Sequence, residues 1–438
     1  MKRETMEKSE STEYYFVSDL HFGGDGQLQV CDYTEEFIAF LRQLAAKDAG
    51  VELIIAGDTF GFWELTSVEG TAQLTEIISH HTRIFEQFRA TGEKVKITIM
   101  VGNHDYDLAC YPEFASMLAS YNIALDLSLA VVREIKGRKI WVEHGQQIDP
   151  YNAATDYGNK NALPLGYFIT ESFVSGASKY SVFGASDWLK DIRSVDVRQI
   201  PDWLISNYFY NEMNIFLRWL LLPFLLLLTV TVFALFAQML EFIGVFNANI
   251  LLENSFMRSL GLAGDVLRWV LTASMTVWFF VFVISIPLYF VYRDIRGTLF
   301  RMQIFPSYKS APTNEANNIY LDRARTIFKE NPEVCAYIFG HTHDAFLVEE
   351  PEKRVVINTG TWLKILKRVS VRFGLLPGIY YPTFRLNYFK IYPENEKIIV
   401  EYVEIPKEPE EKLTLLQRFL IIGKKPELGK PIPSKTVL

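Results

Sequence analysis

Five short segments carry the residue types that hold metal ions. Val17-Ser18-Asp19-Leu20-His21 sets a carboxylate and an imidazole two residues apart. In an extended chain those two side chains share a face, so one ion could take both. Gly57-Asp58, Gly102-Asn103-His104-Asp105, Glu143-His144-Gly145 and Gly340-His341-Thr342-His343 repeat the theme. Glycines beside the donors permit tight turns and close backbone approach. One such segment is a weak signal, because a lone strand-end histidine is usually an ordinary hydrogen-bonding group. Five together are another matter: the chain has seven histidines, and only His80 and His81 fall outside them. Those two sit in a helical stretch and read as solvated or locally bonded.

The donors must be positioned by the elements that precede them. Tyr14 to Val17, Val51 to Ala56, Val95 to Val101, Lys139 to Val142, Val334 to Phe339 and Val355 to Ile357 are rich in β-branched and aromatic residues and read as strands. Helical periodicity fits Glu35 to Lys47, Gln73 to Phe88 and Asn317 to Lys329. Such alternation implies a layered α/β core. A late hairpin is expected from Arg385 to Tyr392 and Lys397 to Glu404, turning at Pro393 to Glu396. Gly23, Gly24 and Gly26 read as a flexible turn after the first motif.

In order and content, the five motifs resemble those of calcineurin-like metallophosphoesterases, over about residues 14 to 150 and 315 to 405. The resemblance implies a four-layer αββα sandwich. It also implies two divalent cations, manganese first, with iron, zinc or magnesium as alternatives. Asp19, His21, Asp58 and His343 would hold one cation; Asp58, Asn103, His144 and His341 would hold the other, with Asp58 bridging. It further implies that His104 protonates the leaving oxygen or steadies the phosphoryl charge, and that Asp105 orients its imidazole. Within the superfamily, Asp58-Thr59-Phe60-Gly61-Phe62-Trp63 is similar to the segment after the bridging aspartate in UDP-diacylglucosamine pyrophosphatases. Those enzymes also carry a helical lid between the fourth and fifth motifs, but usually have arginine where this chain has His104.

Composition narrows the partners. The chain has 438 residues, 49% of them apolar, and a net charge of −7. No basic footprint for nucleic acid is present. Cys31, Cys110 and Cys335 are far apart and odd in number, which suggests neither a disulfide framework nor a thiolate zinc site. The charged stretch Met1 to Tyr14 has no apolar run of the kind a secretory signal needs.

Two stretches, Trp219 to Leu240 and Trp269 to Tyr292, contain no charged residue. Each is long enough to cross roughly 30 Å of hydrocarbon as a helix, and Pro223 and Pro287 are tolerable there. Arg218 before the first stretch and Arg293, Arg296 and Arg301 after the second favour a cytoplasmic position for both chain halves. The fifth motif must also rejoin the first four, which requires an even number of crossings between them. The expected organisation is a catalytic segment 14–150, a helical lid 151–214, a transmembrane hairpin 215–293, a second catalytic segment 315–405 and a tail 406–438. Trp203, Tyr208, Phe209, Tyr210 and Trp219 read either as interfacial aromatics or as packing within the lid. The run Leu413 to Ile422 reads as a docked helix followed by a solvated basic tail, with a lipid-surface contact as the other reading.

The expected activity is hydrolysis of a phosphoester or pyrophosphate bond at the inner membrane, with the site facing the cytoplasm and a lipid-linked or amphipathic substrate. The same enzyme acting on soluble nucleotides or phosphoproteins is the alternative, and a non-catalytic metal-binding scaffold the minor one. Oligomeric state is not legible.

Overall fold

The computed structural model describes residues 13–47, 50–171, 188–195, 199–245, 258–301, 318–371, 376–410, 412–424, 426 and 431–438. The chain divides into two compact units. One comprises Met1–Leu204, Thr313–Arg372 and Gly378–Leu438, the other Ile205–Pro312 and Phe373–Pro377.

In the first unit the strands are β1 (Glu13–Val17), β2 (Val51–Ile55), β3 (Lys96–Met100), β4 (Ile123–Asp126), β5 (Ala130–Ile135), β6 (Arg138–Glu143), β7 (Val334–Phe339), β8 (Phe346–Glu350), β9 (Arg354–Asn358), β10 (Ile365–Val369), β11 (Ile379–Thr383), β12 (Leu386–Glu394), β13 (Lys397–Ile405) and β14 (Lys435–Val437). Seven form a sheet in the order β14-β13-β12-β1-β2-β3-β4, and five form a second in the order β5-β6-β7-β9-β8. β1 to β4 run parallel, as do β6, β7 and β9. The carboxyl ends of β1, β2 and β3 therefore lie along one edge of the first sheet, and those of β6 and β7 along one edge of the second.

Strand alternation builds the layers. Tyr14, Phe16, Ile54 and Met100 pack against Ile140, Val142, Ile338 and Ile357 of the second sheet. Tyr15, Val17, Leu53, Ile55 and Ile97 face the opposite way, onto Phe37, Leu41 and Leu44 of α1 (Thr34–Ala45) and Phe85 and Phe88 of α3 (Thr82–Gly92). On the far side, Tyr320, Ala324, Ile327 and Phe328 of the helix Asn318–Glu330 cover Tyr337, Phe339 and Val356. Helix, sheet, sheet and helix follow one another, consistent with a metallophosphoesterase fold.

Several expectations need correction. The chain after Ile422 is not simply a solvated tail, because β14 pairs with β13 and Thr436 and Leu438 are buried. The stretch Gln73 to Phe88 is not one helix: α2 (Thr71–His80) ends at His81, whose φ of −112° breaks the run before α3 begins. His81 is not solvated. It is 7% exposed against the Phe22 ring, and burial pushes its pKa down to about 4. His80 is exposed and bonds locally to the Glu76 carbonyl at 3.0 Å. The late hairpin forms as expected, with Glu394 opposite Lys397 and Asn395 at φ 56° in the turn.

The insertion is divided between the units. Residues 188–195 and 199–204 belong with the catalytic core. Ile192, Val195, Ile200 and Trp203 pack with Leu28 and Tyr380, and the buried Lys364 ammonium sits 2.7 Å from Asp191. Trp203 is 1% exposed and thus a packing residue rather than an interfacial one. Phe209 and Tyr210 are also buried, Tyr208 is exposed, and the Trp219 side chain lies outside the described residues. Of the expected lid 151–214, residues 172–187 and 196–198 lie outside them too.

The second unit contains the helices Ile215–Phe242 and Leu262–Arg301, packed through Thr231, whose hydroxyl lies 2.9 Å from that of Ser274. Leu262–Ile295 is long and apolar enough to cross a membrane, with 11% of its most apolar window buried. In the first helix the side chains of 219–226 lie outside the described residues, and the described apolar part, Leu227–Phe242, is shorter than a span. One helix, not two, meets the length requirement among the described residues.

The two sheets of the first unit are joined by a buried ion pair. Glu52 of β2, 1% exposed, accepts from Arg133 of β5 at 2.8 and 2.9 Å, from Thr98 at 2.7 Å, and lies 3.0 Å from Lys96. Burial alone would raise this carboxyl's pKa, but the bonds from Arg133, Thr98 and Lys96 hold it below its ordinary value. A carboxylate depressed in the folded state stabilises the fold above its unfolded pKa and loses that contribution as pH falls through the folded one. Arg133→Ala should cost about 3 kcal/mol at neutral pH. The penalty should shrink in thermal melts taken below the ordinary carboxylate range, and a penalty unchanged by acid would contradict the assignment.

Candidate metal centre

Each motif begins where a strand stops. Asp19 and His21 follow β1, Asp58 follows β2, Asn103 and His104 follow β3, His144 follows β6, and His341 and His343 follow β7. Backbone hydrogen bonds lace these loops together: Asp19 donates to Gly57, His21 to Asp58, Phe62 to His104 and Gly340 to His144. Five of the seven expected ligands, Asp19, His21, Asp58, His341 and His343, have φ between 48° and 67°. Non-glycine residues adopt this left-handed region at a cost of about 1–3 kcal/mol each, and such strain gathers at functional sites. It also revises the sequence argument for the first motif. Asp19 and His21 are not successive outward positions of an extended strand, and tight turns bring His21 Nε2 3.9 Å from Asp19 Oδ1.

The glycines are sterically required. A Cβ on Gly102 would fall within 3.0 Å of the Asp58 carboxylate, and one on Gly340 within 3.0 Å of Ser18 and Asp19.

The donors form two adjoining groups. Asp19, His21 and His343 present atoms all within 4.8 Å of one another, and Asp58, His144 and His341 do the same. In the first, the Nε2 atoms of His21 and His343 face each other at 3.1 Å, with His343 Nε2 3.2 Å from Asp19 Oδ1. In the second, Asn103 Oδ1 lies 2.9 Å from His341 Nδ1 and 3.2 Å from His144 Nε2. Asp58 Oδ2 stands between the groups, 3.8 Å from His21 Nε2 and 3.2 Å from His144 Nε2. Imidazole nitrogens, carboxylates and an amide oxygen aimed at common points, with no thiolate, fit a pair of divalent cations. The buried His21 Nδ1 has no hydrogen-bond partner among the described residues, so this ring is fixed by what its Nε2 meets.

Outer partners set the other rings. His144 Nδ1 faces the Ala56 carbonyl at 2.7 Å, which leaves Nε2 for the site. His341 Nε2 is 3.0 Å from Asp149, which leaves Nδ1. Partners of this kind fix tautomer and ring orientation. Asp149 was not singled out from sequence, and its position five residues after His144 gives no signal by itself.

The residue at the edge of the pair is His104. Its backbone N–H donates to Asp58 Oδ1 at 2.8 Å, and its ring is 4.7 Å from that of His21 and 4.6 Å from that of Trp63. The expected partner of its imidazole is Asp105, and here the structure differs. Asp105 turns inward and accepts from the backbone N–H groups of Thr59 at 2.7 Å, Phe60 at 3.3 Å and Gly102 at 2.6 Å. It clamps the Asp58 loop to the Asn103 loop. The carboxylate beside His104 belongs to Glu64, whose Oε1 is 2.9 Å from Nδ1. Burial opposes charge on His104, but the Glu64 and Asp58 carboxylates outweigh it and push its pKa up to about 9. Glu64 lies one residue past the segment that drew attention in the sequence, and only the turn of that loop reveals it.

Cations held by this set would lower the pKa of water and neutralise phosphoryl oxygens during in-line attack. In the chain itself Asp19 and Asp58 are closed off from solvent, and Glu64 lies against His104 Nδ1, an arrangement that favours the protonated ring and leaves its Nε2 free of that carboxylate.

Comparison with known proteins agrees on the class. Residues 13–212 match the calcineurin-like phosphoesterase family model, which takes in the first four motifs. The fifth lies outside the matched residues and is supplied by the loop after β7. No curated protein matches the chain. Among solved structures, a predicted phosphoesterase from Streptococcus pneumoniae TIGR4 aligns at 10% identity over 90% of this chain and 89% of that one, with a TM-score of 0.26. A dimetal phosphatase from Danio rerio aligns at 9% identity over 90% and 96%, with a TM-score of 0.31. Neither of these two superpositions is close enough to bear on the argument. The match over residues 13–212 and the donor set support a phosphoester hydrolase, and the matched family implies a dinuclear divalent metal centre.

Glu64→Gln should lower kcat about 10- to 100-fold on a small phosphodiester while leaving the melting temperature nearly unchanged. Asp105→Ala, which strands three buried N–H groups, should lower the melting temperature as well. Equal melting losses in both variants would remove the distinction drawn between them. Gly102→Ala should weaken metal binding measured by calorimetry, by displacing Asp58.

Proposed function

We propose that this chain is a membrane-anchored phosphoesterase that uses two divalent cations, manganese first, to hydrolyse a phosphoester or pyrophosphate bond of a lipid-linked or amphipathic substrate such as UDP-diacylglucosamine. Asp19, His21, Asp58 and His343 hold one cation, and Asp58, Asn103, His144 and His341 the other. His104 serves the leaving group. Two spans anchor the enzyme, and the site faces the cytoplasm.

The observation that carries the membrane part is the bare apolar surface of Leu262–Ile295. Phe280, Phe282, Ile284, Leu288 and Phe290 are each more than half exposed. In water such a surface would be an aggregation liability, whereas in hydrocarbon it is the lowest-energy arrangement. Charge flanks and the need for motif five to rejoin the others support two crossings, with the first in Ile215–Phe242. The amphipathic substrate is supported by the surroundings of His104. Trp63 covers its ring, Tyr167 meets Trp63 edge-on at 5.8 Å, and Leu165 and Phe168 of the same short helix, Leu165–Ile169, are half exposed. An apolar portion of a substrate would find contacts there.

The test is metal-dependent hydrolysis by the detergent-purified chain under manganese, with UDP-diacylglucosamine and a small chromogenic phosphodiester side by side and Asp58→Ala as blank. Preference for the lipid is expected, together with loss of at least about 10³-fold activity on both in the variant, since one change disturbs both cations. Activity on the small ester alone would retain the catalytic reading and discard the lipid substrate. Activity surviving Asp58→Ala would discard the site.

A further inference from the structure

The helix Leu415–Ile421 is well defined at both ends. Thr414 and Gln417 form a reciprocal capping box, and Ile422, at φ 46°, closes the last turn ahead of Gly423. It docks through Gln417, Leu420 and Ile421, all buried. The opposite side is apolar and bare. Leu415 is 84% exposed, Phe419 69% and Ile422 51%. Their spacing of four and three residues places them on one stripe. Lys412, Arg418 and Lys424 are exposed around it, and no acidic residue occurs between Lys412 and Pro426. Glu408, Glu410 and Glu411 precede this segment.

We propose that this stripe is a lipid-surface contact, with Leu415, Phe419 and Ile422 entering the interfacial region of an anionic leaflet and Lys412, Arg418 and Lys424 meeting its headgroups. A protein groove would ask only for the apolar stripe, whereas cations flanking it, with no acidic residue from Lys412 to Pro426, are what a negatively charged leaflet selects. Three apolar side chains and three cations bind a bilayer only marginally by themselves. The inference therefore rests on the membrane-anchored reading, in which tethering supplies a high effective concentration of lipid surface.

The experiment uses the full chain in nanodiscs of phosphatidylcholine, alone or with phosphatidylglycerol. The photo-reactive residue p-benzoylphenylalanine replaces Phe419 or, as a separate probe of the apolar helix, Phe280. After irradiation, adducts are identified by mass. Position 419 should give lipid adducts several-fold more abundant with phosphatidylglycerol, and combining Arg418→Glu with Lys424→Glu should remove that excess. Absence of lipid adducts at 419, adducts only between protein chains, or equal yields in the two disc types would overturn the proposal. Lipid adducts at 280 but not 419 would leave the anchored reading standing and this one fallen. Lipid adducts at 419 but not 280 would count against the anchor and so against the tethering on which this contact depends.

Discussion

The site depends on five loops being pressed against one another at the carboxyl ends of two sheets. Asp58 sits where several of them converge. It lies between the two groups of donors, accepts the His104 backbone N–H, and occupies space that any side chain at position 102 would take. The loops reach this arrangement through left-handed backbone at five donor positions, an unfavourable choice that persists only because the surroundings determine it. Those surroundings are the apolar layers between the sheets and beneath α1 and α3, together with the Glu52–Arg133 pair that joins the sheets.

Two carboxylates near His104 illustrate how burial assigns roles. Asp105 and Glu64 are both almost fully enclosed. Asp105 has its oxygens taken by backbone N–H groups, and burial followed by the nearby Asp58 charge raises its pKa to about 7. It is a structural clamp. Glu64 instead directs an oxygen to the imidazole, and the attraction between them favours the protonated ring. Adjacency in sequence favours Asp105 for that role, but a residue beside a histidine on a tight turn generally points elsewhere.

The insertion between the fourth and fifth motifs is more than a spacer. Its described residues 188–195 and 199–204 pack into the catalytic unit through Trp203, Ile192 and the Lys364–Asp191 pair, while Arg193 donates to the carbonyls of Gly23, Leu28 and Val30 just beyond the first motif. The glycine-rich turn after His21 is therefore held by residues from far along the chain. Changes in the insertion would be felt at the first motif through that contact.

The sequence by itself determined the chemistry-bearing set. Strand-end aspartates, histidines and glycines recur in a fixed order, and β-branched and aromatic runs such as Tyr14 to Val17 and Val334 to Phe339 mark the strands that precede them. It also marked the uncharged stretches, because a run without charge is visible in composition alone. Tertiary structure decided what sequence distance conceals. It chose Glu64 over Asp105 as the partner of His104, enlisted Asp149 behind His341, broke the α2–α3 run at His81, and buried Trp203 in the core. In each case the outcome depends on which backbone turn brings which atom within about 3 Å of another. Neither residue spacing nor residue type carries that information.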